Sequence, residues 1–190
     1  MILGSHNSWS FLPPKHWWQR PFGFMAKCQR KTIQEQYELG ARCFDLRVRW
    51  VKWKLQVAHG WMVYDITREQ LRDDLQFLND KGDCMVRILH EARTKAQYEA
   101  SKPFFQNVCY VWPFEYPNIK WWCGRNLYNW EVDYEFACKP SCEEKYSSVS
   151  KPKWIDDWWP WLYARLHNRN IRQQGTDKEI LLIDYVDIGA

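Results

Sequence analysis

Cys84-Met85-Val86-Arg87-Ile88-Leu89 is apolar at every position but one. A strand with water on one face alternates apolar and polar residues. A strand without that alternation is covered on both faces, as in a parallel sheet flanked by helices. Ile180-Leu181-Leu182-Ile183-Asp184 reads the same way, apolar until Asp184. Helical signals separate such runs. Thr32 opens one helix, with Glu35 at the spacing of a capping box and Gly40 as its stop. Thr67 opens the clearest helix: Leu71, Leu75 and Leu78 share one side, Glu69, Arg72, Asp73 and Asp74 face water, and Gly82 ends it. The order strand, helix, strand, hairpin, helix, strand predicts an α/β fold with a largely parallel sheet. Six or seven strands can be placed, against the eight of a full barrel. The expectation is therefore a small, distorted or incomplete TIM-type (β/α) barrel.

The 190 residues suit one domain, 1–190, with an aromatic-rich, insertion-like middle over about 95–151. Residues 11–27, punctuated by Pro13, Pro14, Pro21 and Gly23, read as a loop. Residues 108–112 and 131–136 read as strands, and 154–169 as an amphipathic helix interrupted near Pro160.

The stretch Arg42-Cys43-Phe44-Asp45-Leu46-Arg47-Val48-Arg49 does alternate. Phe44, Leu46 and Val48 form an apolar side; Cys43, Asp45, Arg47 and Arg49 form the other. An acid and a base one pleat apart make either an ion pair on a wet sheet or the floor of an anion site. Neighbouring strands favour the second reading. The chain begins Leu3-Gly4-Ser5-His6-Asn7-Ser8, Val57-Ala58 runs into His59-Gly60, and Ile88-Leu89 runs into His90-Glu91-Ala92-Arg93. His6, His59, Glu91 and Asp184 thus gather at the C-terminal ends of strands, the rim on which barrels build their sites. Two imidazoles there can divide one task, one accepting a proton from an attacking hydroxyl and the other giving one to a leaving oxygen. A guanidinium between them can hold a phosphate.

The net charge of +4 suits an anionic substrate or surface and is too small to argue for a nucleic-acid polymer. Fourteen Trp, several in adjacent pairs, serve core and rim packing or an interfacial role. Seven Cys without paired CxxC spacing give no zinc-site pattern. No run of about 18 apolar residues exists, and the chain starts without room for a signal peptide, so a cytoplasmic or membrane-peripheral protein is expected.

Gly4-Ser5-His6-Asn7-Ser8, then Leu39-Gly40-Ala41-Arg42-Cys43-Phe44-Asp45-Leu46-Arg47, then His59-Gly60, in that order and spacing, resemble the X domain of phosphatidylinositol-specific phospholipase C of the bacterial type. The resemblance covers residues 3 to about 93 and returns over 180–186. It implies a distorted TIM barrel and cleavage of a phosphodiester by an adjacent hydroxyl, giving a cyclic phosphate. It implies His6 as general base, His59 as general acid and Asp45 as a contact for the attacking group. Arg47 would stand where eukaryotic relatives bind calcium, and Asp184 would hydrogen-bond His6 across the barrel seam. Asn7, Glu91 and Arg93 would support or bind substrate. The chain departs from the bacterial pattern at Asn7, where Asp is usual, and is considerably shorter. Asn7, Asp45 and Glu91 offer three oxygens, against the six to eight that calcium takes, and Arg47 would repel a second cation in the same pocket. No metal or other cofactor is therefore expected. The implied substrate is an inositol phospholipid at a membrane surface. A soluble diester, such as a nucleotide signal or a glycerophosphodiester, is the alternative, as is a non-catalytic barrel that binds an anionic headgroup.

Overall fold

The computed structural model describes residues 1–92, 94–127, 132–134, 142–144, 159–175 and 179–189. The alternation in β2 (Cys43–Val51) sorts its side chains between two environments. Phe44, Leu46 and Val48 join Leu71, Leu75, Val86 and Ile88 in the main apolar core outside the sheet. That core is covered by α2 (Arg68–Lys81) and α3 (Lys95–Glu115). Cys43 packs on the other face with Met85, Trp122, Ile180 and Leu182, a small apolar floor inside the curl of the sheet. Asp45 and Arg47 stand above this floor on the same inward face.

β2 lies between β1 (Ile2–Ser5) and β5 (Met85–Ala92), parallel to both. Beyond β5 come β6 (Lys120–Leu127), parallel, and β7 (Val132–Tyr134), antiparallel. Beyond β1 come β9 (Ile180–Ile183) and β8 (Cys142–Glu144), both parallel. The hairpin of β3 (Lys54–His59) and β4 (Met62–Val63) folds antiparallel from the end of β2. The described strands form one curled sheet whose edges, β7 and β8, do not pair. This is the distorted, incomplete (β/α) barrel expected from the sequence. Gly4 sits where β1 and β9 close the floor: a Cβ there would strike the side chains of Leu182 and Ile180.

Both capped helices form. Thr32 and Glu35 complete a capping box at α1 (Ile33–Glu38), and Thr67 does the same with Gln70 at α2. Gly82 closes α2 at φ 72, a left-handed value that glycine adopts without strain.

Three expectations are corrected. Residues 108–112 are not a strand but part of α3, because Thr94 caps that helix and Tyr98, Ser101, Phe105 and Cys109 recur on one buried stripe at helical spacing. The apolar run alone could not distinguish the two. Residues 11–27 are not an irregular loop throughout. Successive tight 3₁₀ turns span Ser8–Phe11 and Trp17–Met25, and Pro21 is tolerated because the segment never becomes an α-helix. Pro160 does not interrupt a helix; it starts one, α4 (Pro160–Gln174), at the position where its missing N–H is not needed. Residues 154–158 of that expectation lie outside the described residues, as do the flanks of β7.

Candidate active site

His6 follows β1 directly. Its backbone N–H donates to the Ile183 carbonyl at 3.0 Å, so β1 and β9 hold it together. Asn7 then turns the chain through a left-handed conformation (φ 45, ψ 56), which asparagine tolerates better than most residues. That turn aims the Asn7 backbone N–H at Asp45 Oδ2 (3.0 Å) and sends its side chain away, where Nδ2 donates to the Tyr64 hydroxyl at 3.1 Å. Ser8 Oγ donates to the Ser5 carbonyl and accepts from the Asp45 N–H, tying the ends of β1 and β2 (2.7 and 2.8 Å). Gln29 clamps the seam from outside: its amide donates to the carbonyls of His6 and Ile183 and accepts from the Val186 N–H.

The His6 ring lies between an acid and a base. Nδ1 is 2.7 Å from Asp184 Oδ1, and Nε2 is 2.5 Å from Arg47 Nη2. A guanidinium can only donate, so Nε2 is the accepting nitrogen and Nδ1 carries the proton toward Asp184. The tautomer follows from the hydrogen-bond network. In the free protein the Nε2 lone pair is taken up by Arg47.

Arg47 is fixed on two further sides. Its Nε donates to Asp45 Oδ2 (2.8 Å) and its Nη1 to Glu91 Oε1 (3.1 Å). Arg87 donates to the other Asp45 oxygen at 2.7 Å. Burial alone would push the Asp45 carboxyl up. The guanidiniums of Arg47 and Arg87, with His6, more than offset it and hold that carboxyl far below the usual carboxylate range.

His59, at the end of β3, presents its ring edge-on to His6, with centroids 5.7 Å apart and planes at 87°. Arg49 positions the turn that follows by donating to the carbonyls of Gly60, Trp61 and Met62 at 3.0 to 3.4 Å. Burial, then the positive charge of Arg47, pushes the His59 imidazole down to about 4, with Glu91 opposing. Its Nδ1 is buried without a partner among the described residues. The ring is therefore expected to titrate near pH 4 in the free protein by histidine-ring NMR. Arg47→Gln, which removes a repelling charge, should move that midpoint up; a midpoint that falls or stays would contradict the arrangement.

A cavity of about 730 Å³ opens beside the site and shares Glu91 with it; Trp18, Trp50, Trp53, Trp61 and Phe104 supply most of its aromatic lining.

No protein-family model matches the chain, and no curated protein matches it in sequence. Solved structures do. The phosphatidylinositol-specific phospholipase C of Listeria monocytogenes superposes with a TM-score of 0.57 at 14% identity, over 97% of this chain and 87% of that one. The Staphylococcus aureus enzyme carrying pentafluoro-Phe gives 0.55 at 16% identity, over 97% and 85%. A second S. aureus structure, concerned with modulation of its membrane binding, gives 0.52 at 16% identity, over 97% and 85%. The fold is that of these bacterial phospholipases C. At such identity the likeness concerns the path of the backbone, and the site has to be judged on its own side chains.

Within this phospholipase C fold, His6, Asp45, Arg47, His59, Glu91 and Asp184 meet in one buried cluster, and Glu91 alone of the six also lines the aromatic cavity. Asn7 belongs to it through its backbone N–H, and its amide faces elsewhere. Both Asp45 oxygens are engaged by Arg47, Arg87 and Asn7, so it anchors two guanidiniums and is not a free contact for an attacking group. Arg93 lies outside the described residues. Sequence reasoning passed over Arg87 as the exception in an apolar strand. Its signal was legible, since a charge in a strand buried on both faces must have a partner. Cys28, 1% exposed and beside Asp184, gave no signal through spacing. Among the described residues no helix is long and apolar enough to cross a membrane.

Proposed function

We propose that this chain is a phosphodiesterase of the phospholipase C type that cleaves through a cyclic phosphate. The observation that carries the reading is the pair of imidazoles, 5.7 Å apart, with the Arg47 guanidinium against Nε2 of His6 and Asp184 behind that ring. A substrate with a hydroxyl next to its phosphodiester presents that hydroxyl to His6 Nε2. The lone pair there takes the proton as the hydroxyl oxygen bonds to phosphorus. The new P–O bond closes a cyclic phosphate while the P–O bond to the leaving oxygen breaks, and protonated His59 gives its proton to that oxygen. His6 ends protonated and His59 neutral; water attacking the cyclic ester, with the two roles exchanged, returns both to their starting forms. Arg47 turns Nη2 from His6 to the phosphate, whose charge it stabilises as it develops. The same phosphate raises the proton affinity of His59, which in the free protein lies too low for an acid at neutral pH.

Asn7, Asp45 and Glu91 do not fit calcium. Both Asp45 oxygens and one Glu91 oxygen already accept from guanidiniums. Asn7 Oδ1 is buried without a partner among the described residues, but this one oxygen, even with the second Glu91 oxygen, falls far short of the roughly six to eight ligands calcium takes. No step is therefore routed through a metal, and Arg47 supplies the positive charge.

Inositol phospholipid at a membrane surface is the substrate this reading favours. Trp17 and Trp53 are each 80% exposed, Phe22 and Phe24 about half, and Lys52 and Lys54 flank Trp53. Indoles beside cations suit an anionic interface. The aromatic cavity beside Glu91 supports a second reading, a soluble diester whose non-reacting arm lies against those rings. Phosphorus NMR separates them. A cyclic phosphate formed from phosphatidylinositol vesicles supports the first, and one formed only from soluble glycerophosphodiesters or nucleotide diesters supports the second. Binding of headgroup with no cyclic product from any diester overturns both and leaves a non-catalytic barrel.

A further inference from the structure

Behind the His6 imidazole, on the side away from Arg47, lies a second constellation. A ring nitrogen of His6, Cys28 Sγ and a carboxylate oxygen of Asp184 fall within 4.8 Å of one another, all three residues are buried, and Nδ1 is the nitrogen in contact with Asp184. The backbone fixes this meeting. The Cys28 N–H donates to Ser10 Oγ at 2.9 Å, and its carbonyl accepts from the Tyr185 N–H at 2.6 Å, one residue past Asp184. Asn168 holds the Asp184 and Tyr185 carbonyls from α4 at 2.7 and 3.1 Å. The cysteine is thus carried to the acid that orients His6, although phosphoryl transfer assigns it no task.

We propose that these three side chains form a binding site for a soft divalent cation, Zn²⁺, and that occupancy switches off the base. Thiolate, imidazole and carboxylate are all zinc ligands, and the thiolate excludes calcium and magnesium as preferred occupants. Zinc–sulfur and zinc–nitrogen bonds of about 2.3 and 2.0 Å put tetrahedral ligand atoms roughly 3.3–3.7 Å apart. The His6–Asp184 contact of 2.7 Å opens by somewhat under 1 Å and Cys28 closes in. The thiol loses its proton, so thiolate and carboxylate together balance the charge of the metal. Zinc takes the Nδ1 position, and the imidazole proton moves to Nε2. About one proton leaves per zinc bound. Nε2 then has no lone pair for a substrate hydroxyl, and it meets Arg47 Nη2 donor against donor. Inhibition arises from a forced tautomer, without the metal touching the phosphate.

The inhibitory role rests on the phosphodiesterase reading; the site itself does not. Titrating the chain with CoCl₂ reads the site directly. One equivalent is expected to produce a thiolate-to-cobalt charge-transfer band that zinc displaces, that Cys28→Ser loses and that Cys138→Ser/Cys142→Ser keeps. Where Cys28→Ser fails to fold, Cys28→Ala is measured in its place. A cobalt spectrum without that band, or a band indifferent to both Cys28 substitutions, overturns the site. ZnCl₂ titrated into the phosphorus-NMR assay reads the role. Each variant is compared with its own zinc-free rate, and the zinc concentration for half-inhibition is expected to rise at least tenfold on losing Cys28. Full turnover in the zinc-loaded chain overturns the role while leaving the site standing.

Discussion

His6→Ala and His59→Ala are each expected to slow cyclic phosphate formation by about 10²–10⁴-fold, the range for losing one positioned proton-transfer group. What separates their roles is the response to the leaving group. His59 delivers a proton to the departing oxygen, and a phenolate with strongly withdrawing substituents departs without one. On a p-nitrophenyl ester the His59→Ala defect should shrink by most of its size. His6 acts on the attacking hydroxyl, which is the same in both esters, so its defect should stay. The tautomer derived from the contacts at 2.7 and 2.5 Å makes this assignment directional, because they fix Nε2 of His6 as its accepting nitrogen. Circular dichroism of both variants controls for folding. Equal defects on both esters for both variants would remove the division of labour between the rings.

Much of this was legible because the sheet sorts residues by parity. The alternation over 42–49 places Asp45 and Arg47 on the inward face whatever the neighbouring strands do, and the structure has them there with Cys43 on the floor below. Likewise, His6, Glu91 and Asp184 had to stand at strand ends because each follows or closes an apolar run. Register was not legible. Asp45 lies directly opposite Arg87 across β2 and β5, and nothing local to either strand sets that pairing. The direction of the Asn7 side chain depends on one left-handed residue, and the helix over 108–112 depends on a cap fourteen residues upstream. Cys28 reaches Asp184 through a segment whose 3₁₀ turns have no apolar periodicity to announce them.

The largest effect on stability is expected at Asp45, which is completely buried and engages Arg47 and Arg87 through different oxygens. Arg87 in turn lies over the Trp122 ring at 5.2 Å, so the network reaches the apolar floor of the curl. Asp45→Asn keeps the shape and removes the charge, leaving two buried guanidiniums against a neutral amide. Breaking a buried ion pair by removing one partner costs about 3–5 kcal/mol. For a chain of this size that corresponds to a melting temperature lower by roughly 6–20 °C. The sign with pH follows from the depressed carboxyl. A folded value far below the unfolded one, near 3.9, gives stability that is complete above pH 4 to 5 and is lost as pH falls toward the folded value. The gap between wild type and Asp45→Asn should therefore hold steady from pH 8 to 5 and narrow in more acidic buffer. Arg47 also loses one of its fixed sides, so turnover should fall in the variant at temperatures where it is still folded. A melting temperature within 2 °C of wild type, or a gap that widens in acid, would mean that Asp45 does not anchor the two guanidiniums and that Arg47 is held by Glu91 and His6 instead.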